Sequence, residues 1–279
     1  MPTAGDLLRY GRQRLASLGS GVLDAEVLLS HTLGVNRAWL YANSETAIGE
    51  DRVAAFKALL KRREGGEPVA YLTGTREFWS LLFEVNRHVL IPRPETELLV
   101  EAAFNFIPRD AAWRIADLGT GSGAVAVAIA FERPSCEIHA TDISPQALEV
   151  ARRNAQAHTP GRVAFHEGSW LEPLGGQFHL IVSNPPYVAA DDHHLQQADI
   201  RFEPRTALTP GKNGMWAIEE IARQATTRLL PGGKLMFEHG YDQGDTARRL
   251  LERLGYRGIQ TLEDLEHRDR VTSGSWKEA

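Results

Sequence analysis

A short proline-rich segment carries the groups in this sequence that are best suited to chemistry. It reads Asn184-Pro185-Pro186-Tyr187 and follows an apolar run, 179–183, that is typical of a buried strand. Proline fixes φ, holds the preceding residue extended and has no N–H group, so the oxygens of Asn184 and Pro185 face no competing donors. Each oxygen could accept one hydrogen of a planar –NH₂ group, which would aim its lone pair at an electrophile. Tyr187 offers an aromatic face against which a planar amide or base can pack.

Paired acceptors of this kind suit methyl transfer to a planar nitrogen, whereas hydride transfer has no use for them. The alternative interpretation is an ordinary turn, since Asn-Pro is a common turn opener. The position of the segment, at the end of a predicted strand in a chain with a glycine-rich loop, favours the functional interpretation.

A second group of residues predicts a site for a nucleoside-like cofactor. Residues 113–124 read as a buried strand followed by alternate glycines and a helix start, the glycines being Gly119, Gly121 and Gly123. Glycine is needed where the backbone passes close to a ligand or where φ is positive. Asp142 ends the next predicted strand, where a carboxylate can accept both hydroxyls of a ribose at the carboxyl edge of the sheet. Because 119–124 also fits the dinucleotide fingerprint, the glycines leave both NAD and S-adenosylmethionine open.

Alternating strands and helices must position these groups. Strands are predicted at 114–118, 137–142, 162–166, 179–183 and 234–238, with helices that include 144–156 and 214–230, and 258–262 and 270–275 could close the sheet edge. This alternation predicts an α/β fold with a parallel sheet covered by helices on both faces.

The first part of the chain has a different pattern. Residues 1–75 show apolar stripes at helical spacing and no strand-like alternation. We therefore expect an N-terminal helical domain at 1–75, a connector hairpin at 76–92 and the cofactor-binding domain at 93–279.

The composition narrows the class of protein. The 279 residues include 31 Lys+Arg and 36 Asp+Glu, which gives a formal net charge of −5. Proteins that bind nucleic acid through phosphates usually have a basic surplus, so direct nucleic-acid binding is not expected. The single cysteine, Cys136, suits a reducing compartment, and no apolar run approaches the ~20 residues of a membrane span. We expect a soluble, cytoplasmic protein that does not enter a membrane.

Matching stretches along most of the chain resemble one known family. They are 66–74, 76–79, 91–97, 117–123, 182–187, 195–197, 201–204, 238–240 and 270–272. Together they resemble the protein-(glutamine-N5) methyltransferases of the bacterial HemK/PrmC type, which modify peptide chain release factors. The resemblance implies a Rossmann-like class I S-adenosylmethionine-dependent methyltransferase domain with a small N-terminal helical-bundle domain.

The resemblance also implies roles for individual residues. Those expected to bind S-adenosylmethionine are Gly119, Thr120, Gly121, Ser122, Gly123, Asp142, Trp170 and Asn184. The substrate glutamine would be held by Asn184, Pro185, Pro186 and Tyr187, of which Asn184 and Tyr187 are expected to be catalytic. In this family the glutamine belongs to the Gly-Gly-Gln motif of class-1 release factors, which the N-terminal helices would help to dock. A monomer without a metal site is expected.

Two features depart from the family pattern. Ser169 stands where family members often carry an acid, which weakens the expected adenine contact, and 273–279 extends past the usual ending with no assigned role.

Three alternative activities stay open. They are methylation of a ribosomal-protein glutamine, adenine N6-methylation of nucleic acid, and a nicotinamide dehydrogenase, which leaves 184–187 unexplained. A binding module without turnover is the non-enzymatic alternative.

Three further motifs have simpler interpretations than chemistry. Gly175-Gly176-Gln177 spells the expected substrate motif, but its position before a strand predicts a tight turn. The adjacent pair His193-His194 lacks metal-ligand spacing and predicts a polar loop. Glu238-His239, at a strand end, could be an acid–base pair or a structural partner for neighbouring loops.

Overall fold

The computed structural model describes residues 1–192, 199–210 and 214–277. These described residues divide into two compact units, one formed by Met1–Thr75 with 199–202 and the other by 76–192, 203–210 and 214–277. Across the described ranges, none of the helices is long and apolar enough to cross a bilayer.

The first unit is helical. Its helices are α1 (Ala4–Arg14), α2 (Gly21–Leu33), α3 (Arg37–Ala42), α4 (Glu50–Glu64) and α5 (Val69–Thr73). Thr3 begins α1 with a capping box, in which its side chain accepts from the Asp6 N–H while the Asp6 carboxylate accepts from the Thr3 N–H. Leucines and Phe56 fill the core, and a Cβ at Gly11 would lie 2.8 Å from the Phe56 ring. Glycine at that position therefore lets α1 pack closely against α4.

A buried carboxylate stabilises this unit. Glu26 accepts hydrogen bonds from Arg12 at 2.7 Å and Arg37 at 2.9 Å, and the Tyr41 hydroxyl donates to it at 2.5 Å. Burial on its own raises the pKa of Glu26, but these three partners outweigh burial and lower it to about 2. The carboxylate is thus ionised over the whole physiological range.

Replacement of Glu26 by glutamine is expected to lower the free energy of unfolding by about 2 kcal/mol at pH 7, because two arginines lose their charged partner. The folded-state pKa lies below the ordinary 4.5, so this stabilisation is complete above that pH and disappears as the pH falls towards 2. Urea unfolding followed by circular dichroism at pH 7 and pH 3 measures both effects. The exposed Glu45→Gln is the control, and an equal loss in the two variants would contradict the role of Glu26.

The second unit contains a hairpin and a seven-stranded sheet among its described residues. The hairpin is β1 (Thr75–Phe78) and β2 (Leu81–Glu84), and a 3₁₀ turn, Pro94–Thr96, leads into α6 (Glu97–Phe106). The sheet strands are β3 (Arg114–Leu118), β4 (Glu137–Asp142), β5 (Val163–Glu167), β6 (Phe178–Ser183), β7 (Leu229–Glu238), β8 (Arg257–Glu263) and β9 (Asp269–Ser275). The remaining helices are α7 (Ala124–Glu132), α8 (Pro145–His158), α9 (Arg205–Leu208), α10 (Trp216–Ala225) and α11 (Gly244–Leu254).

The strand order places the ends of three strands side by side. The order is β5-β4-β3-β6-β7-β9-β8, with β9 antiparallel to both its neighbours and the first five strands parallel. Leu118 pairs with Thr141 on one side and with Ser183 on the other. The chain turns outward in both directions from β3, which makes its carboxyl end the switch point where ligands of such sheets bind. The predicted α/β class is confirmed.

The boundary predicted between the helix at 214–230 and the strand at 234–238 was wrong. The predicted helix 214–230 ends at Ala225, and β7 begins at Leu229, which pairs with Phe178. Leu229 and Leu230 are apolar residues that suit a helix or a strand, so their pattern alone could not locate the change. At the other end of the chain, the stretch 270–275 predicted to close the sheet edge agrees with β9, so residues 273–275, to which the sequence assigned no role as part of the tail, pair with β7.

Candidate active site

The loop after β3 is closed by a buried acid. Asp117 Oδ2 accepts from the Thr120 hydroxyl at 2.5 Å and from the Ala126 N–H at 3.2 Å. Burial raises the pKa of Asp117 to about 6, with a smaller contribution from the nearby Asp142 charge. Asp117 therefore ties the glycine-rich loop to the first turn of α7, a role that the sequence did not reveal.

The three predicted glycines are required at their positions for different physical reasons. Gly119 has φ +69°, and a Cβ there would lie 3.2 Å from the Trp170 ring, so the ring packs directly on the backbone. Gly121 has φ +56° and uses its N–H to reach Asp142. Gly123 has φ +82°, and a Cβ there would meet Ala151 of α8 at 3.1 Å. Gly123 thus serves helix packing, while the other two shape the loop.

Asp142 lies at the end of β4, and each of its two carboxylate oxygens already accepts one hydrogen bond. Oδ2 accepts from the Gly121 N–H at 2.8 Å, and Oδ1 accepts from the Ser144 N–H at 2.9 Å. Burial raises its pKa, and these backbone donors oppose that rise. Since a carboxylate oxygen has more than one acceptor site, each oxygen can also accept from a ligand hydroxyl.

These loops surround a cavity of about 310 Å³. Its lining includes eight of the predicted site residues, namely Gly119, Thr120, Gly121, Ser122, Asp142, Trp170, Asn184 and Pro186. Ser169 also lines it. Three predicted residues do not line the cavity, namely Gly123, Pro185 and Tyr187. Two exposed apolar side chains, Ile143 and Trp216, are part of the lining as well.

The segment 184–187 is held at both ends. The Asn184 amide nitrogen donates to the Thr96 hydroxyl at 3.0 Å, which leaves Oδ1 as the end available to a ligand. The Tyr187 hydroxyl donates to Glu238 Oε1 at 3.1 Å, and the Tyr187 carbonyl accepts from Gln243 at 3.0 Å. Burial and the neighbouring Glu238 raise the pKa of Tyr187 well above its usual value, so the phenol stays protonated. This environment suits a residue that holds the segment in place.

Several contributors to the site were missed in the sequence. Thr96 and Pro92 reach the cavity from the chain before α6, beside Arg93, which the family resemblance places at the entrance, and Thr206 and Trp216 reach it from the region of α9 and α10. Arg93 is itself bound to the buried Glu203 at 2.5 Å. The stretch 91–97 is one of those that resemble the family. This resemblance was the one signal in the sequence that Thr96 and Arg93 belong to the site.

Other sequence predictions have clear outcomes. Gly176 has φ +76°, and Arg114 donates to the carbonyls of Gly175 and Gln177, which confirms the predicted turn. His193-His194, and the 195–197 part of the resemblance, lie outside the described residues. Within the described ranges, no group of three or more His, Cys, Asp or Glu side chains is arranged to hold a metal ion. Glu238 partners Tyr187, and His239 is bonded to Thr272 at 2.8 Å.

Comparison with known proteins identifies the family. Residues 6–74 match the PrmC N-terminal domain, and residues 94–253 match the methyltransferase small domain. The chain is 48% identical over 275 residues to a release factor glutamine methyltransferase of Xylella fastidiosa (strain Temecula1), a match that covers 98% of each chain. The chain belongs to the release factor glutamine methyltransferase family. An Escherichia coli (strain K12) relative with the same description is 45% identical over 270 residues, covering 96% of this chain and 97% of the relative.

Membership of the release factor glutamine methyltransferase family makes this chain an enzyme and a methyltransferase. A crystal structure of a methyltransferase from Pyrococcus furiosus agrees at the level of the fold alone, with a TM-score of 0.55 at 17% identity and coverage of 83% of this chain and 100% of that one. The predicted family and the Rossmann-like fold are both confirmed.

Proposed function

We propose that this enzyme transfers a methyl group from S-adenosylmethionine to the side-chain nitrogen, N5, of the glutamine in the Gly-Gly-Gln motif of class-1 release factors. The observation that carries the proposal is the fixed amide of Asn184 at the cavity, within a family whose relatives are release factor glutamine methyltransferases. An anchored acceptor beside a cofactor-sized cavity suits a planar –NH₂ substrate.

The cavity residues fit S-adenosylmethionine. Asp142 can accept the two ribose hydroxyls, and Trp170 packs on the Gly119 backbone, where it offers an apolar wall for the adenine end. Ser169, in the place of the family acid, still brings a hydroxyl to that end of the cavity. When bound, S-adenosylmethionine supplies a sulfonium methyl group that a nucleophile can attack.

The protein residues then act by orientation. Asn184 Oδ1 and the Pro185 carbonyl would each accept one hydrogen of the glutamine –NH₂ group, which aims the nitrogen lone pair at the methyl carbon and favours pyramidalisation of the nitrogen. An amide nitrogen is a poor nucleophile, so a fixed geometry and exclusion of water supply most of the acceleration. The nitrogen would form its bond to the methyl carbon as the bond from that carbon to the sulfonium sulfur breaks, with S-adenosylhomocysteine as the leaving group, and it would lose one proton, late, to water. No general base is needed in this scheme.

The helical unit is proposed to help dock the release factor, and the enzyme is proposed to act as a cytoplasmic monomer. The acidic net charge of −5 favours a protein substrate over nucleic acid. Glutamine on a ribosomal protein has the same reacting group and is the second candidate substrate.

Peptide mapping by mass spectrometry tests the proposed product. Unmodified release factor is incubated with the enzyme and S-adenosylmethionine, digested and fragmented. One added methyl group on the glutamine side chain of the Gly-Gly-Gln peptide is expected. A methyl group on any other residue, or on none, would overturn the proposal.

Gly119→Ala is expected to weaken S-adenosylmethionine binding about tenfold or more. The added Cβ would lie 3.2 Å from the Trp170 ring and would occupy a backbone conformation of φ +69°, so the ring and loop must shift. Isothermal calorimetry measures the Kd. Gly175→Ala is the matched control because its Cβ would have nothing within 4 Å, and equal affinity in both variants would refute the importance of this contact.

A further inference from the structure

A large aromatic side chain is left exposed in the wall of the cavity. Trp216 is the first residue of α10 and lines the cavity, yet it is 52% exposed. Its neighbours in the chain, Met215 and Ala217, are 7% and 0% exposed, so the core fixes the backbone that carries the ring. A single exposed apolar side chain is ordinary on a protein surface, but a rigidly placed indole ring in a cavity wall is suited to contact a ligand.

The start of α10 lies at the substrate end of the cavity. Gly214, two residues before Trp216, packs directly on the 184–187 segment, because a Cβ at Gly214 would lie 2.4 Å from the Tyr187 carbonyl oxygen. The same oxygen accepts from the Gln243 side chain at 3.0 Å, which fixes the backbone that Gly214 approaches. Glycine at position 214 thus lets Trp216 stand beside the residues proposed to hold the glutamine.

The last turn of α10 contacts the cofactor end instead. Gln224 accepts from the Leu171 N–H at 3.0 Å, and Leu171 directly follows Trp170, the proposed wall for the adenine. Trp216 lies eight residues before Gln224 in the same helix. At the α-helical rise this separation is about 12 Å along the axis. Trp216 therefore stands away from the adenine wall, where the substrate rather than the adenine can meet it.

The flat face of an indole ring packs closely on a peptide backbone only where no side chain protrudes. Trp170 shows this within the enzyme, since its ring packs on Gly119, where a Cβ would lie 3.2 Å away. The side chain of the target glutamine is short, so its backbone must stay at the cavity mouth when its nitrogen reaches Asn184. The residue before the glutamine then lies at the mouth as well, beside Trp216.

We propose that Trp216 is a specificity-determining residue whose ring packs on the backbone of the glycine immediately before the target glutamine. This inference rests on the proposed function and adds to it a physical reason for the glycine in the substrate. A Cβ at that place of the substrate would meet the ring and displace the glutamine from Asn184. The enzyme thus rejects a glutamine that follows a residue with a side chain, although the reacting group is the same.

A comparison of kcat/KM for two enzymes and two substrates isolates this contact. The enzymes are the wild type and Trp216→Ala, and the substrates are release factors with Gly-Gly-Gln and with Gly-Ala-Gln. Alanine also strains the substrate loop itself, but this effect is common to both enzymes and cancels in the ratio. We expect the wild type to prefer Gly-Gly-Gln by at least about 30-fold, and Trp216→Ala to reduce that preference about fivefold or more. An unchanged preference would overturn the proposal.

Further variants separate a substrate contact from a cofactor contact. Trp216→Ala is expected to raise KM for the Gly-Gly-Gln substrate about tenfold, because a buried aromatic contact is lost, and to leave the Kd for S-adenosylmethionine within about threefold. Trp216→Phe keeps a ring and should retain most of the preference. Phe131→Ala is the matched control, since Phe131 is a 50% exposed aromatic residue of α7 outside the cavity lining. A rise in the Kd for S-adenosylmethionine as large as the rise in KM would contradict the proposal.

Binding without turnover distinguishes this inference from the proposed function. Calorimetry with enzyme loaded with S-adenosylhomocysteine measures the Kd for each of the two release factors. The preference for Gly-Gly-Gln is expected to be smaller in Trp216→Ala than in the wild type, and equal preferences would refute the role of Trp216. A wild-type enzyme that binds release factor and transfers no methyl group to it would refute the proposed function alone.

Discussion

Asn184→Ala is expected to lower kcat for methylation of release factor by about 10²- to 10³-fold while the Kd for S-adenosylmethionine changes by less than about threefold. The loss is comparable to the removal of one preorganised hydrogen-bonding group from other active sites. Asn184 is held by Thr96 at 3.0 Å, so its oxygen is fixed before the substrate arrives. Removal of that oxygen leaves one hydrogen of the substrate –NH₂ group unpaired, and the lone pair is no longer aimed.

Single-turnover kinetics with labelled S-adenosylmethionine, together with calorimetry, separate the two quantities. Asn105→Ala, at an exposed position of α6, is the control and should match the wild type. An Asn184→Ala enzyme with wild-type turnover would remove this residue from the catalytic site. A loss of cofactor affinity as large as the loss of kcat would instead assign Asn184 to cofactor binding.

Asp142→Ala is expected to weaken S-adenosylmethionine binding about 100-fold. A hydrogen bond to a charged group contributes about 1.5–3 kcal/mol, and the carboxylate also holds the Gly121 N–H at 2.8 Å. Burial raises the pKa of Asp142. Affinity that depends on the ionised form should therefore decline, on acidification, at a higher pH than the ordinary aspartate value would give.

Calorimetric titrations at pH 7.5 and at pH 5 measure both effects. Asp51→Ala, at an exposed position in α4, should leave the Kd unchanged. An unaltered Kd in Asp142→Ala would exclude this residue from the cofactor site. An affinity that rises on acidification would contradict a role for the ionised carboxylate.

Much of the fold could be predicted because short strand-like stretches bounded by turn residues alternate with helical ones. The predicted 114–118 and 137–142 agree with β3 and β4 at both ends. The exception is the region of α10 and β7, where Leu229 and Leu230 suit either element and only pairing with β6 decides. Local pattern is thus sufficient where turn residues bound a strand, and insufficient where an apolar stretch crosses a boundary.

The candidate site could be predicted in part. Asp142 and the glycine-rich loop directly follow the ends of predicted strands, so these residues at the carboxyl edge of the sheet could be predicted. The contact of Thr96 could not, since Thr96 is 88 positions from Asn184. Glu238 was expected as an acid–base group or a partner for neighbouring loops, but its contact with Tyr187, 51 positions away, could not be predicted. Gly123 fits the cofactor pattern in sequence, yet the close approach of Ala151 explains it by helix packing. Such contacts depend on tertiary structure that no local spacing encodes.

The most direct test of the central claim offers the enzyme and tritiated S-adenosylmethionine to three substrates in parallel. They are unmodified release factor, its Gly-Gly-Gln→Gly-Gly-Ala variant, and bare DNA. We expect label on the unmodified release factor alone, which would place the methyl group on that glutamine. Equal label on the Gly-Gly-Ala variant, or label on DNA, would contradict the account.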